Sequence, residues 1–150
     1  MILIKQVGVY LNLVHNRFKQ YVGSIFQERG VDLTPEQFLV MDILWKDNVL
    51  SQQQIATIVM KDKNSITKLL DQLEKKELIV RIPDKIDRRL NLIKLTDKGW
   101  GLKDISTDIA TEAVNRIVDG IPDDDLNNFV ETLMKMGDNI RKTDNRPNEN

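Results

Sequence analysis

The chain has 150 residues, 41% of them hydrophobic and 30% charged, with a formal net charge of −1. That length and balance describe one soluble globular domain able to bury a respectable core, and the near-neutral total gives no hint of a nucleic-acid partner. With no cysteine there is no disulfide, no thiolate metal site and no thiol redox switch, which fits a cytoplasmic protein.

Met1 to Ile4 are apolar, but Lys5 interrupts them without a basic start or cleavage signature, so neither a signal peptide nor a membrane span is expected. A first helix is expected from about Ile4 to Glu28. Its apolar residues Ile4, Val7, Leu11, Val14, Phe18, Tyr21 and Ile25 form a seam of alternating three and four steps, which stops near Gly30. Thr34-Pro35-Glu36-Gln37 opens a second helix, with a capping threonine, proline at the first helical position and a glutamine placed for a capping box. Ser51 and Gln54 repeat the device before a short third helix, Gln52 to Val59. After a turn at Met60 and Lys61, a helix from about Asp62 to Lys76 keeps Ile66, Leu69, Leu70 and Leu73 on one stripe. Its opposite face carries Asn64, Thr67, Lys68, Asp71 and Lys75.

Ile79 to Pro83 and Asn91 to Leu95 read as two strands of branched apolar residues, joined by a charged link from Asp84 to Leu90 with Lys85, Arg88 and Arg89 at the tip. Thr96 can cap a long helix running to about Asp119, and Pro122 starts a last one with apolar Leu126, Phe129, Val130, Leu133, Met136 and Ile140. Residues 143–150 are polar and read as a flexible tail.

The distribution of charge is more informative than its total. From Met60 to Lys94 ten Lys/Arg accompany six Asp/Glu, a local +4, whereas the remainder holds twelve and seventeen, or −5. One positive footprint on an otherwise acidic chain confines phosphate binding to that segment. Its helix offers amide, hydroxyl and ammonium groups near its start, suited to base edges and phosphates in a major groove. An arginine at the hairpin tip is suited to the concentrated negative potential of a minor groove. The short helix, turn and following helix make a helix-turn-helix, and the hairpin makes it winged. The first and last helices lie outside that unit. Their stripes need cover, from within the chain or from the same helices of a second copy, and a dimer would set two reading helices about one duplex turn apart.

These residues resemble the MarR-type winged-helix transcriptional regulators over almost the whole chain. The likeness runs through LTPEQFLVMDIL at Leu33 to Leu44, LSQQQIA at Leu50 to Ala56, ITKLLDQLEKKELIVR at Ile66 to Arg81 and DRRLNLIKLTDKG at Asp87 to Gly99. The resemblance implies a mainly α fold with a β-hairpin wing, its DNA-binding lobe at about 33–97 and dimerisation helices at about 1–30 and 98–142. It makes Asp62 to Lys76 the recognition helix, Arg89 the wing-tip arginine and Asp87 the carboxylate that helps fix it. It implies a homodimer on a palindromic double-stranded operator, most often repressing, and released by a small aromatic or anionic ligand. Glu77 departs from the pattern by standing where the family usually has glycine: a left-handed cap there costs on the order of 1 kcal/mol, or the helix ends differently.

The expected DNA-binding set is Ser51, Lys63, Asn64, Ser65, Thr67, Lys68, Lys85, Asp87, Arg88 and Arg89. His15, Trp45 and Trp100 are candidates for lining a ligand pocket, against the plainer roles of a packing histidine and of core or interface tryptophans. Asp123, Asp124 and Asp125 suit the positive end of a helix dipole, so no metal site is invoked. With a single histidine and no glycine-rich phosphate loop or nucleophile elbow, neither enzyme chemistry nor a cofactor is expected. The competing readings are a winged-helix module that binds protein and, more weakly, an RNA binder, since an A-form major groove is too narrow for a reading helix.

Overall fold

The computed structural model describes residues 2–144, with side chains from Lys5 onward. It is the mainly α architecture expected, seven helices and a small sheet among the described residues: α1 (Ile2–Glu28), α2 (Pro35–Asp47), β1 (Val49–Ser51), α3 (Gln52–Ile58), α4 (Lys63–Lys75), β2 (Ile79–Pro83), β3 (Asn91–Leu95), α5 (Asp97–Gly101), α6 (Lys103–Ile117) and α7 (Asp123–Asp144). Two compact units meet at Ala113 and Val114, within α6.

In the larger unit, the two capping boxes form as the sequence dictates. Thr34 Oγ1 accepts from the Gln37 amide while Gln37 Oε1 accepts from the Thr34 amide, and Ser51 and Gln54 do the same at α3. The sheet has three antiparallel strands in the order β1-β3-β2, with Leu50 opposite Ile93 and Arg81 opposite Ile93 on the other side. Both hairpin strands match expectation to the residue. The third, β1, is an addition: three residues between two helices carry too short an alternation to announce a strand, and pairing with β3 makes it one.

Side chains from every layer of this unit are buried. Phe26 of α1, Met41 and Leu44 of α2, Ile55 of α3, Ile66, Leu70 and Leu73 of α4, Ile79 and Ile93 of the sheet and Ile109 of α6 are all fully buried. At about 1.5–3 kcal/mol for each such side chain, this core sets the orientation of α4.

The long helix expected from Thr96 to about Asp119 is instead two, because the chain leaves α5 at Leu102, whose amide reaches back only three residues to the Gly99 carbonyl. Thr96 does cap α5, its Oγ1 accepting from the Gly99 amide. Gly99 is required there. A Cβ on it would lie 2.2 Å from the Leu78 carbonyl oxygen, so only glycine allows α5 to cross the end of β2 this closely.

Three helices end on the double-bonded turn that usually demands glycine. Gly30 supplies it after α1, but Met60 after α3 and Glu77 after α4 take it too, at φ 55° and 62°. At α4 the Leu78 amide bonds to the Leu73 carbonyl and the Glu77 amide to that of Glu74. Of the two outcomes open for Glu77, the strained left-handed cap is the one realised.

α1 is buried only toward its end. Val22, Ile25 and Phe26 are in the core, whereas Val7, Leu11, Val14 and Phe18 of the seam are exposed; the side chain of Ile4 lies outside the described residues. In the smaller unit, Gly120 turns the chain and α7 follows, with no fully buried residue and with Phe129, Val130, Met134 and Ile140 exposed. Thr143 and Asp144, expected in the tail, continue α7, and the rest of that tail lies outside the described residues.

Candidate nucleic-acid interface

The start of α4 is built by Asp62, one of whose oxygens accepts from the Ser65 amide at 2.8 Å and the other from its hydroxyl at 2.7 Å. These bonds hold the Asp62 carboxyl below the usual range. With the first turn fixed, Lys63, Asn64 and Lys68 are exposed beyond it, free of the core stripe. Thr67 is different. Its hydroxyl donates to the Lys63 carbonyl at 2.8 Å and accepts from Gln52 Nε2 at 2.7 Å, which ties α3 to α4. Ser51 and Ser65 are likewise engaged in caps, so three of the expected hydroxyl readers first serve to shape the surface.

The wing tip is closed by its own hydrogen bonds. The Asp84 amide donates to the Leu90 carbonyl and the Leu90 amide to the Asp87 carbonyl, and Asp84 Oδ1 accepts from the amides of Ile86 and Asp87. Asp87 then holds Arg89 as a fork: Nε to Oδ1 and Nη2 to Oδ2, both 3.0 Å, with the Arg89 amide also on Oδ1. The Arg89 side chain first, then its amide, lower the Asp87 carboxyl below its ordinary range. Arg89 still leaves 89% of its side chain in solvent, beside exposed Lys85 and Arg88. A held but exposed guanidinium carries little entropy left to lose on binding.

Between α3, the start of α4 and the base of the wing runs an open groove of about 760 Å³, whose lining includes Lys61, Lys63, Arg89 and Asn91. It joins the helix and the wing into one cationic surface.

Two further features escaped the sequence. Arg81 of β2 reaches α4, with Nη2 on Asp71 at 2.8 Å and Nη1 on Glu74 at 3.1 Å, while Nη2 also donates to the Thr67 carbonyl at 3.3 Å. It locks wing to helix and answers two carboxylates on the cationic face; carboxylates at i and i+3 followed by an arginine in the next strand were the available signal. At the other end of α4, Lys76 Nζ donates to the Asp32 carbonyl, to Asp32 Oδ1 and to Gln37 Oε1, and buried Gln37 donates onward to Gln72.

The pocket candidates are not brought together at this groove. Trp45 fills the core, its indole N–H donating to the Gly99 carbonyl at 3.1 Å and its ring 6.0 Å from that of Phe38. Trp100 is partly exposed beside Lys103. His15 is exposed on α1. Among the described residues no His/Cys/Asp/Glu cluster could hold a metal ion, and no helix is long and apolar enough to cross a membrane.

Helix, turn, helix and a strand pair whose tip projects two arginines define a winged helix-turn-helix. Residues 33–90 match the MarR family. The HTH-type transcriptional regulator MhqR of Bacillus subtilis is 31% identical over 139 residues, covering 92% of this chain and 94% of that protein. The chain therefore belongs to the MarR family, a family of transcriptional regulators. Among solved structures, the repressor CouR bound to a 23-mer DNA duplex superposes with a TM-score of 0.81 at 26% identity, over 90% of this chain and 94% of that one. A mutant MarR from E. coli complexed with operator DNA has the same fold, with a TM-score of 0.82 at 19% identity, over 89% of this chain and 94% of that one.

Proposed function

We propose that this protein is a dimeric repressor that binds a palindromic operator, with α4 in the major groove and the wing tip in the adjacent minor groove. The observation that carries this reading is the groove lined by both Lys63 of α4 and a wing arginine already gripped by Asp87, with Asn64 and Lys68 also exposed on α4. CouR, a transcriptional repressor of the same fold whose solved structure holds a DNA duplex, supports the partner. α1 and α7 supply the dimer contact, as their exposed apolar residues ask for cover. Such a protein acts in the cytoplasm without a cofactor, and the family resemblance points to release by a small aromatic or anionic ligand.

The test is binding to genomic duplex fragments across salt concentrations, for the wild type and Arg89→Ala. Each neutralised phosphate adds about 0.9 to the slope of log affinity against log salt. Arg89→Ala should lose roughly 1–3 kcal/mol of specific binding while staying folded and dimeric. Affinity indifferent to salt would favour the protein-binding module, and an unchanged operator affinity in Arg89→Ala would remove the wing from the interface.

A further inference from the structure

The wing tip carries one residue that its electrostatics do not use. Ile86 lies between Lys85 and Asp87 with 98% of its surface in solvent, the most exposed large apolar side chain among the described residues. Single exposed apolar residues are common and need no explanation on a mobile loop. This loop is not free to hide its isoleucine. The Ile86 amide donates to Asp84 Oδ1 at 2.7 Å, the neighbouring Asp87 amide shares that acceptor, and the loop is shut by the bonds between Asp84, Asp87 and Leu90. The backbone that carries Ile86 is thus the same short scaffold that carries the Asp87–Arg89 fork.

We propose that Ile86 is a specificity-determining residue that enters the minor groove beside Arg89 and selects A·T pairs there. This rests on the reading of the protein as a DNA binder. The chemistry of the groove supplies the selection. Its walls are deoxyribose carbons, against which a branched aliphatic side chain packs, and its floor at A·T pairs has no projecting amino group. A G·C pair places the guanine amino group on that floor, where an apolar cover strips its water without returning a hydrogen bond. Lys85, Arg88 and Arg89 provide the attraction that brings the tip to the groove, and Ile86 makes the contact that charge cannot make.

The test uses the full-length protein and a duplex it recovers from random DNA, with the steps under the wing located by hydroxyl-radical footprinting. Those steps are then built as A·T, as inosine·cytosine, which lacks the amino group but keeps the G·C major-groove edge, and as G·C. The wild type should bind the first two alike and the third more weakly. Ile86→Ser should lose roughly five- to tenfold on the A·T duplex, from the apolar contact of one side chain, and should discriminate less against G·C, with its salt slope unchanged because no charge is altered. Ile86→Leu should retain most of the affinity. If Ile86→Ser matches the wild type on all three duplexes, or keeps the full discrimination, the assignment is overturned while the DNA-binding reading stands. If the wild type recovers no duplex, both fall.

Discussion

Gly99→Ala should be among the most damaging one-carbon changes available in this chain. The added Cβ would meet the Leu78 carbonyl oxygen at 2.2 Å and Leu95 Cδ2 at 3.1 Å. That carbonyl cannot simply withdraw, since it accepts the Thr96 amide at 3.1 Å. On the other side, the Gly99 carbonyl accepts the buried Trp45 indole N–H. Overpacking against backbone costs typically about 1–3 kcal/mol, and loosening the Thr96 amide bond adds roughly 1 kcal/mol. A loss of ~2–4 kcal/mol at this chain length lowers Tm by about 5–15 °C. Circular dichroism melts at fixed protein concentration measure this, and tryptophan fluorescence should shift as Trp45 loses its partner. Gly101→Ala is the control: nothing lies within 4 Å of its Cβ position, so it should be neutral or slightly stabilising. A Gly99→Ala protein within about 0.5 kcal/mol of wild type, below the usual cost of overpacking, would refute the close-approach argument.

Glu77→Gly should stabilise by about 0.5–1 kcal/mol in urea unfolding, because glycine relieves the left-handed cap and gives back part of the gain as unfolded-state entropy. The Asp87 carboxyl is depressed in the folded state, so its grip on Arg89 is complete above its ordinary value of 3.8 and is lost as pH falls through the lowered one; the Arg89 Nε–H NMR signal should hold its bonded position at pH 5 and revert only below 3.8. Lys68→Ala should weaken binding similarly across DNA sequences and reduce the salt slope by about one per chain if it neutralises one phosphate. Light scattering should give about twice the 17.4 kDa chain mass, and truncation before Phe18 should abolish it; a stable monomer at micromolar concentration would contradict the role given to α1.

What the sequence disclosed was what local chemistry decides. Capping boxes at Thr34 and Ser51, the apolar stripe of α4 and the two branched strands each depend on residues within one or two turns of one another, and each was legible. β1 was not, because Val49 to Ser51 become a strand only through the register of β3. The break at Leu102 was missed for a related reason. A threonine cap followed by helical periodicity says that a helix begins, but the approach of Gly99 to Leu78, which fixes where α5 lies, joins residues far apart in the chain. Of the candidate site, the pairing of Asp87 with Arg89 was implied by the family resemblance, and the two side chains are hydrogen-bonded. Arg81 was passed over as a strand residue, since its two carboxylate partners are visible only once β2 is laid along α4.

Lys76 gives α4 a second fulcrum. One ammonium group spans the end of α4, the turn after α1 and the capping glutamine of α2 with three hydrogen bonds. The turn at Asp32 and the tail of α4 therefore cannot part without breaking both bonds to Asp32 together. The turn that follows the 27-residue α1 is thus tied directly to the end of α4, the helix proposed to enter the major groove, by bonds that involve neither the sheet nor the wing.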